Sequence, residues 1–209
     1  MLHIHKLGVG LIPVEEQQEQ IYSLVARIKQ QFDLTFATEQ DVSIPHLTLF
    51  QGVYQNEAQV VDIVRSIDFS QFSRWQPVKG LSAWAEKILF LDCERTTDLY
   101  QAHLRVFEKL FPLYEGKSAD PQDFVGITPG QQRSFNETGY PFSRQEYLPH
   151  FTLAHLKDTS LYKLPNTQEK LNRLITDSPL RQRIDFERFV VYRVGPLGAC
   201  KELTYERVL

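Results

Sequence analysis

One pentapeptide pattern occurs twice in this chain. Residues 45–49 read PHLTL and residues 149–153 read PHFTL, so each copy carries a histidine two positions before a threonine. In an extended strand, alternate side chains point to the same face, so the histidine and the threonine of each copy share one face. The residues concerned are His46, Thr48, His150 and Thr152. If the two strands face each other, two His-Thr pairs converge on one ligand.

Two imidazoles and two hydroxyls suit the chemistry of a phosphodiester. Imidazole has an ordinary pKa of about 6.5, so near neutral pH one ring can hold a proton while the other lacks one. One histidine can then deprotonate the attacking water or hydroxyl while the other protonates the leaving oxygen. The two threonine hydroxyls can donate hydrogen bonds to the non-bridging phosphoryl oxygens. This set predicts phosphodiester cleavage without a metal or a cofactor, with a bell-shaped pH profile near neutrality.

The same order of elements surrounds both copies. In the first half, hydrophobic periodicity and capping residues predict strand 2–12, helix 15–32, strand 44–51, a helix behind an Asn56 cap and strand 75–85. In the second half they predict strand 88–92, a helix capped by Thr96 or Thr97, strand 150–154, a helix behind Asn166, and strands 189–194 and 203–208. Each pentapeptide therefore lies on a strand between two helices.

The repeated order predicts a duplicated α+β fold. We expect one domain over residues 1–209, built as two lobes from residues 1–85 and 86–209, with antiparallel sheets facing a central cleft and helices outside. The halves differ by an insertion at 113–147, whose glycines and prolines are Gly116, Pro121, Gly126, Pro129, Gly130 and Gly139. A long segment of this kind is typical of a functional lid or a disordered loop.

Composition restricts the class of protein. The 26 acidic and 23 basic residues give a net charge of −3, which disfavours binding to long duplex nucleic acid. Every apolar run is too short to cross a bilayer, and the N-terminus lacks the layout of a signal peptide. Two cysteines are too few for a disulfide framework. We expect a cytoplasmic monomer with no membrane partner, whose ligand is a small nucleotide or an RNA end.

With its two His-x-Thr-Leu motifs, one in each half, the chain resembles the 2H phosphoesterase superfamily, of which the RNA 2′,5′-ligase/cyclic phosphodiesterase proteins are the prototype. The resemblance implies that His46 and His150 are catalytic and that Thr48 and Thr152 bind the phosphate. It also implies substrates such as RNA-type 2′,3′-cyclic phosphates, 2′,5′-linked oligonucleotides or cyclic phosphates derived from ADP-ribose. The expected activity is that of a metal-independent phosphodiesterase acting on ribonucleotides, with DNA left intact.

Other interpretations stay open at this point. Both motif histidines could be hydrogen-bonded core residues beside strand-typical threonines, although this leaves the matched repetition unexplained. The cleft could bind a nucleotide or RNA without turnover, or the reverse reaction could make the chain an RNA 2′,5′-ligase. A histidine-based metallohydrolase is a further alternative, because His3 and His5 form a His-x-His pair on a strand. An edge strand at the surface is the simpler interpretation of that pair.

Several further side chains are weaker candidates. Residues upstream of the second motif mix aromatic and cationic character, which suits base stacking and phosphate contact; the candidates are Tyr140, Phe142, Arg144 and Tyr147. Tyr192 and Arg193 alternate on a late strand, so at most one of them faces the cleft, and Lys87 is a further guess. Four residues are predicted to be structural, namely His103, His155, Cys93 and Cys200.

Overall fold

The computed structural model describes residues 4–70, 72–116, 127–158, 166–176 and 178–209. Eight strands and five α-helices lie within these ranges. The strands are β1 (His5–Pro13), β2 (Leu34–Ala37), β3 (Leu47–Tyr54), β4 (Trp75–Trp84), β5 (Ile88–Cys93), β6 (His150–Leu156), β7 (Arg183–Val194) and β8 (Cys200–Val208). The helices are α1 (Glu15–Lys29), α2 (Glu57–Ser66), α3 (Thr97–Leu110), α4 (Pro129–Thr138) and α5 (Thr167–Thr176).

All strand pairs are antiparallel, and they form two four-stranded groups. The first group has the order β3-β1-β7-β8, and the second has the order β2-β6-β5-β4. Two junctions join them: a single residue pair between β3 and β6, and the start of β7 beside the start of β4. This arrangement confirms the expected α+β class with antiparallel sheets.

The two groups exchange elements between the halves of the chain. Strands β7 and β8, from the second half, complete the first group, whereas β2, from the first half, lies at the edge of the second group. The helices are exchanged as well, because α3 packs on β3 while α1 contacts β2, β6 and α5. The sheets therefore do not divide at residue 85, and the long strand β7 contributes both to the first group and to its junction with β4.

Local signals explain where several helices begin and end. The Asn56 side chain accepts a hydrogen bond from the Gln59 backbone N–H, and Thr96 caps α3 in the same way, as the sequence predicts. Helix α4, which lies within the insertion at 113–147, opens with a capping box between Thr128 and Gln131 and is followed by its cap Gly139. The insertion is thus partly helical; its residues 117–126, with Pro121 and Gly126, lie outside the described residues.

The buried apolar faces of both sheet groups and of the helices form one main cluster. Strand β2 was not predicted, because four residues of mixed burial carry little periodicity. Within the described part of the chain, no helix is long and apolar enough to cross a membrane.

Candidate active site

The two motifs meet at the junction between the sheet groups. Leu47 of β3 pairs with Phe151 of β6, and both side chains are buried in the core. Continued by one residue in each direction, this antiparallel register sets His46 across from Thr152 and Thr48 across from His150. The pair of central residues therefore lies on a local pseudo-twofold axis that relates one motif to the other.

Each motif strand contains a β-bulge directly after its threonine. In β1–β3, Gly10 pairs with Thr48 and Val9 with Phe50, so Leu49 is left out of the register. In β5–β6, Phe90 pairs with Thr152 and Leu89 with Ala154, so Leu153 is left out at the equivalent place. A bulge interrupts the alternation of side chains and redirects the residues that follow it.

The backbone carbonyls at these bulges bond to groups outside the two ladders. The Leu49 carbonyl accepts a hydrogen bond from His103 Nδ1 at 2.6 Å, and the Leu153 carbonyl accepts one from the Thr38 backbone N–H at 2.8 Å. The backbone carbonyls of the two motif threonines accept hydrogen bonds from side-chain hydroxyls. Tyr147 OH donates to Thr48 O at 3.3 Å, and Thr38 Oγ1 donates to Thr152 O at 2.7 Å. These bonds fix the backbone of both motifs in the same manner.

The motif histidines are anchored identically. His46 Nδ1 lies 2.8 Å from the Ile44 carbonyl, and His150 Nδ1 lies 2.7 Å from the Leu148 carbonyl, two residues upstream in each case. Because a carbonyl can only accept, each Nδ1 must carry the proton, which leaves Nε2 as the nitrogen available to a ligand. An aromatic ring supports each imidazole, Tyr192 at 4.6 Å from His46 and Phe90 at 3.8 Å from His150 between centroids.

Burial dominates the protonation of both imidazoles. It lowers the pKa of His46 and of His150 from 6.5 to about 4, which the backbone of Ile44 and Gly198 at His46, and of Leu148 at His150, only partly opposes. The proximity of His46 lowers the pKa of His150 further. Both rings are therefore neutral at pH 7 in the unliganded protein. An anion between them would raise both pKa values, because it stabilises the protonated form.

Tyr192 connects the first motif to strand β1. Its hydroxyl lies 2.9 Å from Thr48 Oγ1, and its side chain is fully buried. Gly8 is paired with Tyr192 across β1–β7, and a Cβ at this glycine would overlap the tyrosine ring. Because glycine has no side chain, Gly8 leaves space for the Tyr192 ring, which packs on His46 and whose hydroxyl bonds to Thr48.

A cavity of about 530 Å³ opens over the two motifs, which is within the usual range for small-ligand sites. Six of the residues singled out from the sequence line it, namely His46, Thr48, Tyr140, Phe142, His150 and Thr152. The structure thus brings together both His-Thr pairs and two aromatic residues of the insertion.

Three of the predicted ligand contacts lie elsewhere. Tyr147 is stacked on His103 at 4.1 Å behind the motif strand, and Tyr192 lies beneath Thr48, so both support the cavity wall without being part of it. Arg144 pairs with Glu137 and covers the Phe107 ring at the surface. Aromatic and cationic residues of a loop can anchor that loop as well as a ligand, and the sequence does not distinguish these uses.

Other cavity residues were missed or assigned a different place. Besides the six above, the described lining residues are Lys6, Gln51, Trp84, Ile88, Phe90, His155 and the segment 194–198. His155, which was predicted to be structural, lines the cavity because the bulge at Leu153 turns it to the face of Thr152. Gln51 follows the bulge at Leu49 in the same way. Trp84 and Phe90 come from the β4–β5 hairpin, which the sequence does not place beside the motifs.

The remaining histidines and cysteines serve packing or surface pairs. His103 is fully buried between β3 and the insertion, and His5 lies 3.6 Å from Glu57 at the surface. His3 lies outside the described residues. Cys93 and Cys200 are free and buried, and burial raises the pKa of the Cys200 thiol to about 12. Among the described residues, no three His, Cys, Asp or Glu side chains are grouped to hold a metal ion.

Two other predicted cations also lie away from the described cavity wall. The Arg193 guanidinium, which alternates with Tyr192 as expected, bonds to Glu57 and Glu202 at the surface. Lys87 lies at the β4–β5 turn, where its charge helps to lower the pKa of His155. Lys6 is the lysine that the described cavity wall contains.

Comparison with solved structures identifies the fold. The E. coli protein LigT in complex with 3′-AMP matches with a TM-score of 0.58 and 13% identity over 99% of both chains. LigT in complex with ATP matches with a TM-score of 0.55 and 14% identity over 99% of both chains, and its apo form with 0.54 and 13% over 99% of this chain and 98% of LigT. No family model and no curated protein sequence matches the chain. The chain therefore has the LigT fold.

Proposed function

We propose that this chain is a metal-independent phosphodiesterase of the 2H type, which hydrolyses 2′,3′-cyclic phosphates or 2′,5′-linked ribonucleotides. One observation carries the proposal: two imidazoles, each anchored through Nδ1 to the carbonyl two residues upstream, present Nε2 at one cavity from pseudo-symmetric strands. A structural histidine has no need for such a matched counterpart. The expectations of a cytoplasmic location and a monomeric state belong to the same proposal.

One imidazole accepts a proton during the reaction and the other donates one. In hydrolysis of a cyclic phosphate, the Nε2 of one ring takes a proton from water as its oxygen bonds to phosphorus. The other ring, protonated once the anionic phosphate is bound, donates its proton to the ribose oxygen as the P–O bond breaks. The first ring ends protonated and the second neutral, and exchange with solvent restores both. If the hydroxyl of a second ribose attacks the cyclic phosphate in place of water, the same proton transfers form an internucleotide diester, which is the ligating reaction.

The threonine hydroxyls stabilise the charge on the phosphoryl group. Thr48 and Thr152 flank the histidines on the same cavity wall and can donate to the non-bridging oxygens, where negative charge increases in the transition state. The Tyr192 hydroxyl, 2.9 Å from Thr48 Oγ1, orients that donor. Preorganised donors of this kind need no reorientation during the reaction.

The aromatic wall suits a nucleobase. Trp84 and Phe142 line the cavity beside the second motif with ring centroids 4.9 Å apart, and a base can stack on such rings. LigT, which shares the fold, was solved in complex with 3′-AMP and with ATP. These complexes support a nucleotide as the ligand class for this chain. A preference for ribose follows from its vicinal oxygens: a 2′,3′-cyclic phosphate has one of them as the leaving group, and a 2′,5′-linked diester has a free 3′-hydroxyl beside the phosphate.

The test is a substrate panel with matched variants. We expect turnover of 2′,3′-cyclic nucleotides or 2′,5′-linked dinucleotides in the presence of EDTA, with DNA dinucleotides intact. His46→Ala and His150→Ala should each lower the rate by two to four orders of magnitude, and Thr48→Ala and Thr152→Ala by about tenfold to a thousandfold. His5→Ala, outside the cavity, is the control. Nucleotide binding without turnover would instead indicate a binding module, and equal rates on DNA would contradict the ribose preference.

A further inference from the structure

Two buried polar side chains in the cavity have no part in the mechanism above. Gln51 and His155 both line the cavity that holds the motif residues, and they are only 8% and 5% exposed. Each follows its motif histidine by five positions. Each also follows a bulge, at Leu49 or at Leu153, which turns it towards the cavity. The pseudo-twofold axis that relates the motifs therefore relates these two residues.

The two residues lie in opposite directions from the motif centre. Strands β3 and β6 are antiparallel and share the Leu47–Phe151 pair, from which each strand continues away from the other. Gln51 and His155 are each four residues beyond that pair, which is at most about 13 Å along a strand. A phosphate held between the two His-Thr pairs thus has one of these polar groups on either side.

The side chains of Gln51 and His155 are both uncharged, and both can hydrogen-bond to a ligand. No hydrogen bond joins the Gln51 amide or the His155 imidazole to another of the described residues, and the His155 ring contacts Phe36 edge-on. Burial and the charge of Lys87 lower the pKa of His155 to about 4, so the ring is uncharged at pH 7. An amide and a neutral imidazole each offer both a donor and an acceptor, which match sugar hydroxyls and base edges rather than a second anion.

The two sides have different neighbours. His155 pairs with Ile88, next to Trp84 on the β4–β5 hairpin, so its side is largely apolar and aromatic. Gln51 pairs with Gly8 of β1, the strand that also brings Lys6 to the cavity. The two sides can therefore hold different nucleoside units, which would fix the direction in which the bound nucleotide chain runs through the cavity.

We propose that the preferred substrate is an internucleotide diester with one nucleoside on each side of the reacting phosphate, read by Gln51 on one side and His155 on the other. This inference rests on the proposed function, and it selects among the substrates named there. A 2′,3′-cyclic mononucleotide carries one nucleoside and can occupy only one side. A 2′,5′-linked dinucleotide occupies both.

The test compares two substrates in two variants that keep side-chain volume. Gln51→Met and His155→Leu should each lower kcat/KM for a 2′,5′-linked dinucleotide roughly tenfold or more, because each leaves a polar group of the ligand unpaired. For a 2′,3′-cyclic mononucleotide, only one of the two variants should lower kcat/KM, and the other should stay within about twofold of wild type. His155→Gln, which restores a donor and an acceptor, should recover most of the loss in His155→Leu.

Two results would overturn this inference. Equal losses on both substrates in each variant would show a general packing effect, and an unchanged dinucleotide rate in either variant would remove that residue from recognition. Binding of the dinucleotide to His150→Ala protein gives a readout that does not depend on turnover, and adding Gln51→Met or His155→Leu there should weaken binding by the same factor. If wild type cleaves neither substrate, the proposed function fails, while this binding comparison still decides whether both sides are read.

Discussion

His103 donates its Nδ1 proton to the carbonyl of Leu49, the bulged residue that follows the first motif, at 2.6 Å. Its other ring nitrogen accepts the Arg144 backbone N–H at 2.8 Å. One fully buried imidazole therefore joins the motif strand to the insertion that supplies Tyr140 and Phe142 to the cavity. The ring must be neutral to make both bonds, since Nε2 can accept only when it carries no proton.

Replacing His103 should destabilise the protein strongly. His103→Ala leaves the Leu49 carbonyl and the Arg144 N–H without their partner, and unpaired buried groups cost about 1–3 kcal/mol each. We expect the free energy of unfolding to fall by about 2 kcal/mol or more, measured by urea denaturation followed by circular dichroism. Arg144→Ala is the control, because it keeps the backbone N–H and removes only surface contacts, so its loss should be about 1 kcal/mol or less. Equal losses would contradict the role of the ring.

Stability should decrease on acidification. The pKa values of His46, His103, His150 and His155 are each lowered by burial from 6.5 to about 4. Between these values the unfolded chain binds more protons than the folded one, so stability is full above pH 6.5 and is lost as the pH falls towards 4. We expect Tm to fall by at least about 5 °C from pH 7.5 to pH 5. A Tm that is constant over this interval would show that these rings are not held neutral.

The pH profiles of kcat/KM and kcat should differ. The first reports the free protein, in which burial holds the pKa values of both motif histidines near 4. The second reports the complex, in which the phosphate charge raises these pKa values. The optimum of kcat should therefore lie at least about one pH unit above that of kcat/KM. Steady-state rates over pH 4 to 9 would check this, and coincident optima would mean that the bound phosphate does not change either pKa.

Gly8→Ala should impair both stability and turnover. A methyl group at this position overlaps the Tyr192 ring, which packs on His46 and bonds Thr48. We expect Tm to fall by several degrees and kcat to fall about tenfold, because the Thr48 donor loses its orientation. Gly116→Ala serves as the control, since a Cβ there meets nothing within 4 Å. If the Gly8→Ala protein kept its full kcat, the positioning of Thr48 by Tyr192 would be disproved.

Tryptophan fluorescence should report ligand binding. The chain has two tryptophans, of which Trp84 lines the cavity and Trp75 is 46% exposed elsewhere. In Trp75→Phe protein, addition of 3′-AMP should quench the emission of the remaining tryptophan, because the base stacks on its ring. Trp84→Phe protein, titrated in the same way, should show little change. Quenching in the second variant but not in the first would place the base near Trp75 at the start of β4 and outside the cavity.

The residues that the sequence located correctly are those that depend on strand alternation alone. The His-x-Thr spacing places His46 with Thr48 and His150 with Thr152, and both pairs reach one cavity. The bulges at Leu49 and Leu153 are invisible in the pattern, because a leucine fits a regular strand equally well, and so Gln51 and His155 were not placed. Tyr192 was assigned to the ligand because the space left by Gly8 depends on a pairing between distant strands.

The exchange of strands between the two halves determines when this site can form during protein synthesis. Strand β1 must pair with β7 as well as with β3, and β7 begins at Arg183 in a chain of 209 residues. A nascent chain that has emerged up to the second motif therefore carries both histidines but leaves one edge of β1 unpaired. The first sheet group, and with it the support of His46 by Tyr192, cannot form until β7 has left the ribosome.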